Sequence, residues 1–571
     1  MHFEKGVIVL EFDVRTIDMD ILIIGGGTAG CFSALTITDN SNLKVVIADK
    51  ANIKRSGCLA AGVNALNAYI GKGETAESFV EYVKKDAEGI IREDLVYSIA
   101  KRLNEVTKHL EVLGLPILKD EKGAYVQRGK RSIKINGENI KPLLAKAVME
   151  RENVTVLNHI NIVDYLLQEG HVIGAIGFAL KENVIYEIYA KKTICATGGA
   201  SGLYRPNNTT FSRHKMWYCP FNTGAGYAMG IRAGAEMTSF EMRFIALRCK
   251  DTIAPTGTIA QGIEAVQVNA KGEAYVEKYG KPTTHMRLYA TVMENLKGNG
   301  PCFLKTEGIT PEQEKELYRA YLNMAPAQTL KWLENNRGPA HENVEIEGTE
   351  PYIVGGHTAS GYWIDGDRKT TLKNLYAIGD VAGGSPKKYV TGCLAEGEIA
   401  AISALNTIED VHIRKLDRKE ISERVAYFSH FFYNNETLYS IEEVEEAMQK
   451  MMDEYAGGIS TAYMYNTTKL GIAEKRIEEL LGIANTLKAS SLDGLLAIFE
   501  IIDRLYVCKV LIKHLEARKE TRWRCYQEYI DFPQKDNEKW MQYVNSVYKE
   551  GGVEIIFREL VRRDEAYEHK D

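Results

Sequence analysis

The chain has 571 residues, 45% of them hydrophobic and 26% charged, which is the composition of a globular protein with several apolar cores. Length alone suggests about three or four domains. The 71 basic and 77 acidic side chains leave a net charge of −6, which argues against a general nucleic-acid binder. No apolar stretch approaches the ~20 residues of a membrane span, and no secretory pattern opens the chain.

Nine cysteines are scattered along the chain, and no two of them have the C-x-x-C spacing of metal sites. This pattern predicts neither a zinc site nor an iron–sulfur cluster in the chain, and we expect no other metal site. An odd, scattered set of cysteines is typical of reduced thiols. We therefore expect a cytoplasmic protein.

The first strong motif is segment 21–30, Ile-Leu-Ile-Ile-Gly-Gly-Gly-Thr-Ala-Gly. It predicts a buried parallel strand, a glycine turn and a helix whose N-terminus binds the pyrophosphate of a dinucleotide. A second strand over 44–48 ends in an acid, which suits a ribose hydroxyl. The predicted cofactor contacts are Gly25, Gly27, Gly30, Asp49 and Lys50. The alternative is a glycine turn without a ligand. Segment 1–17, with its apolar run 7–10, suggests an extra edge strand before this motif.

Small, weakly polar residues fill segment 54–67, which includes Ser56, and favour a loop that packs against a flat ligand. The following segments predict, in order, helices at 75–115, a basic turn at 125–131 and a strand meander at 154–165, 171–180 and 184–190. Two further strands run into glycine turns at 193–199 and 374–380.

Three strand-to-glycine units separated by long insertions indicate an α/β, Rossmann-like nucleotide domain that is interrupted by a capping domain. Charged, helical patterns from about 410 onward indicate a C-terminal helical domain. The predicted boundaries are 1–230 for the first nucleotide-binding segment, 231–350 for the capping domain, 351–410 for the second nucleotide-binding segment and 411–571 for the helical domain.

Together these motifs resemble the fumarate reductase and succinate dehydrogenase flavoprotein superfamily over residues 18–533. The segments that carry the resemblance are the turn at 21–30, Ala-Thr-Gly-Gly at 196–199, Ala-Ile-Gly-Asp at 377–380, Gly-Cys-Leu-Ala-Glu-Gly at 392–397, 518–522 and 531–533. The resemblance implies that the dinucleotide is FAD. It adds cofactor contacts at Thr197, Gly198, Gly379, Asp380 and Glu396.

Two departures from fumarate chemistry are visible. Superfamily members with covalent FAD place a histidine after an Arg-Ser pair, whereas Gly57 follows Arg55-Ser56 here, which predicts non-covalent FAD. Fumarate reducers carry an arginine proton donor in a segment that matches 258–268, and this segment contains no arginine. Both differences argue against a dicarboxylate reductase.

The closer resemblance is to the α-subunit family of adenylylsulfate reductase, on segments 55–70, 217–227, 240–251 and 350–357. It implies an enzyme that reduces the sulfate of a sulfonucleotide (APS or PAPS) by flavin attack on sulfur, releasing sulfite and AMP or PAP. Charge grows on the leaving phosphate, so such a site needs fixed cations and hydrogen-bond donors rather than a nucleophilic side chain.

Five residues match the family's active site. The resemblance assigns Arg248 and His357 to the sulfate and the leaving phosphate, and Asn67 to a neutral donor beside the sulfur. It places Trp217 and Tyr82 near flavin and substrate. The alternatives are an ion pair for the arginine, a structural role for the histidine and core packing for the aromatic residues.

One substitution concerns substrate choice. Where the sulfate-respiring family has a glutamate, this chain has Arg128, followed closely by Lys130 and Arg131. Because guanidinium groups bind phosphate in a bidentate fashion, the substitution favours the 3′-phosphorylated nucleotide PAPS. The alternative is a solvent-exposed basic turn.

No nicotinamide motif is visible, so the resemblance implies that electrons come from a ferredoxin-like iron–sulfur β subunit in an αβ or α2β2 assembly. Iron–sulfur clusters are expected only in that partner. The alternative enzymes are a fumarate reductase or succinate dehydrogenase-type flavoprotein and an L-aspartate oxidase-like enzyme. A non-enzymatic alternative is a flavin-binding electron-transfer or scaffold protein.

Overall fold

Strands and helices alternate along the chain in the computed structural model, which describes residues 11–207, 215–334, 336–409, 411–434 and 437–569. The strands are Asp13–Ile24 (β1), Val45–Asp49 (β2), Val63–Asn67 (β3), Ser132–Gly137 (β4), Val154–Asn158 (β5), Ile160–Gln168 (β6), His171–Ala179 (β7), Val184–Cys195 (β8), Met237–Thr238 (β9), Leu247–Cys249 (β10), Gln267–Val268 (β11), Cys302–Leu304 (β12), Val344–Gly348 (β13), Gly361–Tyr362 (β14), Leu375–Ala377 (β15), Met464–Tyr465 (β16), Glu528–Tyr529 (β17), Gln542–Lys549 (β18) and Gly552–Glu559 (β19).

The α-helices are Thr28–Asn40 (α1), Ala76–Asp86 (α2), Glu93–Ala100 (α3), Leu103–Val112 (α4), Ile140–Met149 (α5), Ala225–Arg232 (α6), Gly257–Gly262 (α7), Thr284–Leu296 (α8), Pro311–Met324 (α9), Pro326–Glu334 (α10), Tyr389–Asn406 (α11), Arg418–Tyr433 (α12), Ile441–Tyr455 (α13), Thr467–Ala484 (α14), Leu492–Ala517 (α15) and Asn537–Trp540 (α16). Within the described ranges, none of these helices is both long and apolar enough to cross a membrane.

The largest sheet has the strand order β5-β2-β1-β8-β7-β6, and β15 also pairs with β8. Strand β8 is parallel to β1 and to β15, and its last residue, Cys195, lies opposite both Ile24 and Ala377. The carboxyl ends of β1, β2, β8 and β15 therefore meet at one edge. This arrangement confirms the predicted α/β fold, in which one nucleotide domain is built from non-adjacent segments.

The meander prediction is confirmed for β6, β7 and β8, which pair antiparallel. The strand predicted over 154–165 is wrong as one unit, because the chain breaks at His159 and β5 pairs parallel with β2. The N-terminal segment differs from the predicted edge strand. Residues 13–17 belong to the long central strand β1, which pairs with β8 from Asp13 onward, so they do not form a separate edge strand. The apolar run at 7–10 lies outside the described residues.

Both faces of this sheet are covered, which explains the continuous apolar runs in its strands. On β1, Ile21 and Ile23 face a core that contains α1, α5 and α11, whereas Leu22 and Ile24 face the opposite core with α6 and α15. Side chains alternate between the two faces because successive residues of a strand point in opposite directions.

The helices begin in two ways, with a side-chain cap or, as in α1, α3, α4, α5, α6, α7 and α11, without one. Capping boxes begin α2, α9, α12 and α13, where the residue before the helix and the third residue inside it exchange hydrogen bonds. Helix α1 has no side-chain cap at Gly27. Its first N–H groups are therefore left without an intrahelical or capping partner.

The segment predicted to cap the site carries a second sheet, in the order β10-β13-β12-β11. This sheet packs with α8, α9 and α10 around its own apolar cluster, which includes Leu304, Trp332 and Ile346. The exact domain boundaries stay a prediction.

The C-terminal segment is helical as predicted from α12 to α15, and these helices share one apolar cluster with the sheet strands β6, β7 and β8. The prediction missed a hairpin. Strands β18 and β19 pair with each other, and β18 also pairs with β9, at Asn545 opposite Thr238. The two-residue strand β9 leaves no sequence pattern to detect, so its pairing with β18 could not be predicted.

A buried ion network joins these parts. The Glu241 carboxylate accepts from Arg518 Nε at 2.8 Å and contacts His514 Nδ1 at 3.2 Å. Burial alone would raise the pKa of Glu241, but Arg518 and His514 hold it below its ordinary value. Because this pKa is lower in the folded than in the unfolded chain, the stabilisation is present at neutral pH and is lost as the pH falls through the folded value.

We expect Glu241→Gln to lower the free energy of unfolding at pH 7 by ~3–5 kcal/mol, since Glu520 would then be the one described carboxylate within 4.0 Å of two buried guanidinium groups, those of Arg518 and Arg522. Urea denaturation measures the change. The gap between wild type and variant should narrow below a pH of about 4.3, where the unfolded carboxyl takes up its proton.

The matched control is Lys419→Ala, which removes the exposed ion pair with Glu423 and should leave the unfolding midpoint unchanged. An equal effect of the two substitutions, or a gap that stays constant down to acid pH, would contradict the assigned role of Glu241.

Candidate active site

A cavity opens at the sheet edge where β1, β2, β8 and β15 end. Nine of the eleven predicted cofactor residues line it, namely Gly25, Gly27, Asp49, Lys50, Ser56, Thr197, Gly198, Gly379 and Asp380. The sheet topology brings them together, because each lies at the carboxyl end of one of these strands or in the loop that follows it.

The glycine turn is shaped for close approach of a ligand. Gly25 has a φ of 101°, and a Cβ there would lie 2.5 Å from the Ala196 carbonyl oxygen, so a larger residue is excluded. At Gly27 a Cβ would meet no atom within 4 Å, because this face of the turn borders the cavity. The uncapped N-terminus of α1 adds free N–H groups and the positive end of the helix dipole.

Two predicted cofactor residues lie behind the cavity wall. A Cβ on Gly30 would lie 2.0 Å from the Gly25 carbonyl oxygen, so this glycine allows α1 to pack on the turn. Glu396 is fully buried and accepts from the Gly379 N–H at 2.8 Å and from Lys388 at 3.1 Å. Both residues support the turns and do not line the cavity.

The two acids at the strand ends are held in place. Asp49 Oδ2 accepts from the Gly26 N–H at 2.7 Å, and its Oδ1 accepts from the Ala51 N–H at 2.7 Å. Asp380 Oδ2 accepts from the Tyr218 hydroxyl at 2.7 Å, and burial raises the pKa of Asp380.

These features fit a flavin dinucleotide. Uncapped N–H groups suit a pyrophosphate, an acid at the end of β2 suits a ribose, and the loop with Gly57 suits a flat ring because that residue has a φ of 77° and no side chain. Lys50 also contacts Glu500 of α15 at 2.6 Å, which ties the cavity rim to the C-terminal helices.

A second cavity, of about 610 Å³, lies between the nucleotide domain and the capping segment. That volume suits a ligand of nucleotide size. The predicted residues that line it are Asn67, Tyr82, Arg128, Lys130, Arg131, Arg248 and His357. Trp217 lies behind this wall, with its ring in contact with two of these side chains.

His357 lies in an aromatic cage. Its ring stacks on Phe244 at 4.5 Å and meets Trp217 and Tyr389 edge-on at 5.0 and 5.3 Å. Desolvation, reinforced by the charge of Arg248, lowers the pKa of His357 to about 3. The imidazole is therefore neutral at physiological pH and can donate one hydrogen bond without carrying charge.

Arg248 brings a positive charge that the described residues do not neutralise. Its guanidinium lies 4.8 Å from the centre of the Trp217 ring, and its buried Nε has no hydrogen-bond partner. No described carboxylate comes within 4.0 Å of it. Burial lowers the pKa of Arg248 to about 10, so the group stays charged. A half-buried cation without a counter-ion indicates an anionic ligand.

The basic turn divides into two kinds of side chain. Arg131 pairs with Glu74 at 2.8 Å, and Lys130, 77% exposed, lies 3.7 Å from the same acid. Arg128 has no described carboxylate within 4.0 Å. Its buried Nε is unpartnered, and its Nη2 donates to Asn67 Oδ1 at 3.3 Å. Arg128 is therefore the cation of this turn that remains available to a ligand.

Asn67 is oriented by its neighbours. Its Oδ1 accepts from Arg128 and, at 2.9 Å, from the Ser132 hydroxyl. Its backbone carbonyl accepts from the Thr391 hydroxyl at 2.9 Å. With the oxygen satisfied, the side-chain amide has its two N–H donors left for the cavity.

The sequence analysis missed Lys387 and Tyr389, which also line the second cavity. Both have positive φ, 61° and 51°, in non-glycine residues, a strained backbone that is common at functional sites. Lys387 pairs with Asp86 at 2.9 Å, and its ammonium lies 5.2 Å from the Tyr82 ring centre. The available signal was a lysine pair inside an otherwise apolar segment just before α11.

Comparison with known proteins agrees with this architecture. The model of the FAD binding domain family matches residues 20–393. The adenylylsulfate reductase subunit alpha of Megalodesulfovibrio gigas is 28% identical, over 95% of each chain.

Among the similar solved structures, two reductases of sulfonucleotides align over nearly the whole chain. Adenylylsulfate reductase from Archaeoglobus fulgidus aligns with a TM-score of 0.93 and 31% identity, covering 99% of this chain and 100% of that one. The same values hold for an adenosine-5-phosphosulfate reductase in complex with sulfite as a covalent adduct. This chain therefore belongs to the FAD binding domain family and, within it, to the adenylylsulfate reductase α subunits.

Proposed function

We propose that this chain is the FAD-carrying catalytic subunit of a reductase that converts a sulfonucleotide, APS or PAPS, to sulfite and AMP or PAP. The observation that carries the proposal is the second cavity, where the unpaired Arg248 cation meets the neutral His357 ring against Trp217. The sulfite complex of the related reductase supports it.

The side chains of this cavity bind and orient rather than react. The Arg248 guanidinium binds sulfate or phosphate oxygens, His357 donates from a neutral imidazole, and Asn67 donates from its amide. These donors are held in place before substrate arrives, so they stabilise the charge that grows on the leaving phosphate. FAD, when bound, supplies the reducing electrons and the nucleophile for sulfur.

We propose that FAD is bound without a covalent link, since Gly57 occupies the position of the histidine in covalent relatives. We further propose a ferredoxin-like iron–sulfur β subunit as the electron donor, in an αβ or α2β2 assembly located in the cytoplasm. The name of the M. gigas relative, a subunit alpha, supports a protein with more than one kind of subunit.

The direct test offers APS, PAPS and fumarate separately to the purified chain with its partner and a reduced viologen. We expect sulfite from at least one sulfonucleotide and no succinate from fumarate. The reason is that the unpaired cations of the cavity suit the negatively charged sulfate–phosphate anhydride of a sulfonucleotide. Turnover of fumarate alone would support the dicarboxylate alternative. No turnover of any substrate, despite bound flavin, would support the electron-transfer alternative.

Replacing Arg248 tests the anion site. We expect Arg248→Met to lower kcat/KM for the sulfonucleotide by ~10²–10³, the usual loss when one donor to a developing charge is removed. FAD content should not change, because Arg248 does not line the cofactor cavity. Arg476→Met, at an exposed arginine, is the matched control. Equal activity of the two variants would rule out the assigned role.

Substrate preference depends on Arg128 in this proposal, and the 3′-phosphate of PAPS is the group that it would bind. Arg128 also borders an adjoining cavity, where three other cations (Lys134, Lys315 and Arg319) are matched by three acids (Glu138, Glu312 and Glu316), so the proposal depends on Arg128 itself. We expect Arg128→Glu to lower the PAPS/APS ratio of kcat/KM by at least about tenfold.

Lys130→Glu is the control from the same turn. It should change the ratio much less, because Lys130 is exposed and already lies near Glu74. An unchanged ratio in Arg128→Glu would show that the basic turn does not select the nucleotide, while leaving the sulfonucleotide reductase proposal intact.

A further inference from the structure

Lys141, in the first turn of α5, is a fully buried lysine that lies directly behind the glycine turn. Its ammonium donates to the carbonyl of Gly26 at 2.5 Å and to the carbonyl of Ile53, and it lies 3.4 Å from Cys31 Sγ. No described carboxylate lies within 4.0 Å of it. Burial raises the pKa of the Cys31 thiol, so that neighbour supplies no negative charge at neutral pH.

The Gly26 peptide is held from several sides. Its carbonyl oxygen also accepts from the Ser56 hydroxyl and from the Cys31 thiol, both at 3.2 Å, while its N–H donates to Asp49. In a trans peptide the carbonyl and the next N–H point in opposite directions. Holding the Gly26 carbonyl on the Lys141 side therefore directs the Gly27 N–H toward the cavity that Gly27 lines.

The positive charge of Lys141 also favours an anion in the neighbouring cavity. A buried ammonium that bonds only to two carbonyls and a thiol is costly in an empty site, because it has lost its water without gaining a counter-ion. The cavity next to it has an uncapped helix N-terminus, which already favours an anion. A pyrophosphate at that place would lie one peptide away from Lys141 and would compensate its charge.

We propose that Lys141 is a positioning residue for the FAD pyrophosphate. Lys141 orients the Gly27 N–H toward the pyrophosphate and places a full positive charge behind the glycine turn. Lys141 does not line the cavity, so it acts through the Gly26 peptide and not by direct contact. The proposal rests on FAD occupying this cavity and is independent of which sulfonucleotide is reduced.

The test measures FAD affinity of the flavin-free full chain by fluorescence titration, together with the melting temperature of the flavin-free form. Lys141→Met removes charge and donor, whereas Lys141→Gln removes the charge and keeps an N–H donor. We expect both to weaken FAD binding by about ten- to a hundredfold. We also expect the flavin-free melting temperature to stay equal to or above the wild-type value, because an uncompensated charge has gone.

Lys509→Met is the matched control, since this buried lysine pairs with Glu478 and donates to the Gly551 carbonyl far from the turn. It should lower the melting temperature and leave FAD affinity within about twofold. Unchanged FAD affinity in both Lys141 variants would overturn the proposal. Wild-type FAD affinity in Lys141→Gln would also overturn it, because the hydrogen bond alone would then be enough and the charge would have no role. Flavin-free variants that fail to fold would overturn it as well, because Lys141 would then be needed for folding and not for FAD binding. None of these outcomes depends on sulfite release.

Discussion

The hydrogen-bonded pairing of β8 with β1 on one side and β15 on the other is the constraint on which the rest of this structure depends. It places Ile24, Cys195 and Ala377 side by side, although the three strands come from distant parts of the chain. The turns that follow these strands must then open at one edge. The capping segment lies between β8 and β15 in sequence, so this pairing also brings it over that edge, and the second cavity forms between them.

The two cavities share one electrostatic principle. Lys141 behind the glycine turn and Arg248 and Arg128 in the second cavity have no described carboxylate within 4.0 Å, whereas Lys387 and Arg131 are paired with acids. A cation that is withdrawn from water without a partner is costly, as for the buried Lys141 and the half-buried Arg128 and Arg248, and a bound anion offsets that cost. The paired cations shape the walls, and the unpaired ones mark the places where pyrophosphate and sulfonucleotide are expected to bind.

Most of the fold could be predicted because its signals are local. Apolar runs that end in glycines predicted β1, β8 and β15, and helical periodicity predicted α13 to α15. The hairpin of β18 and β19 was missed because the helical pattern that begins near 410 was extended to the end of the chain, although the two strands are local neighbours of eight residues each. In the site, the resemblance brought Asn67, Arg248 and His357 to attention, and the structure places them around one cavity. Their catalytic roles stay a prediction.

The sequence by itself determined the strand-turn-helix that binds a dinucleotide, the α/β class and the family, because these depend on contiguous residues with a strict local pattern. Only the tertiary structure decided which charges are free. Lys130 and Arg131 form one basic turn with Arg128 in sequence, yet Glu74 pairs with the first two and leaves the third. Likewise, Lys141 is an ordinary helical lysine until the fold buries it against Gly26. Whether a charged side chain is available to a ligand depends on the groups that lie within a few ångströms of it. The spacing of residues along the chain does not show which groups these are.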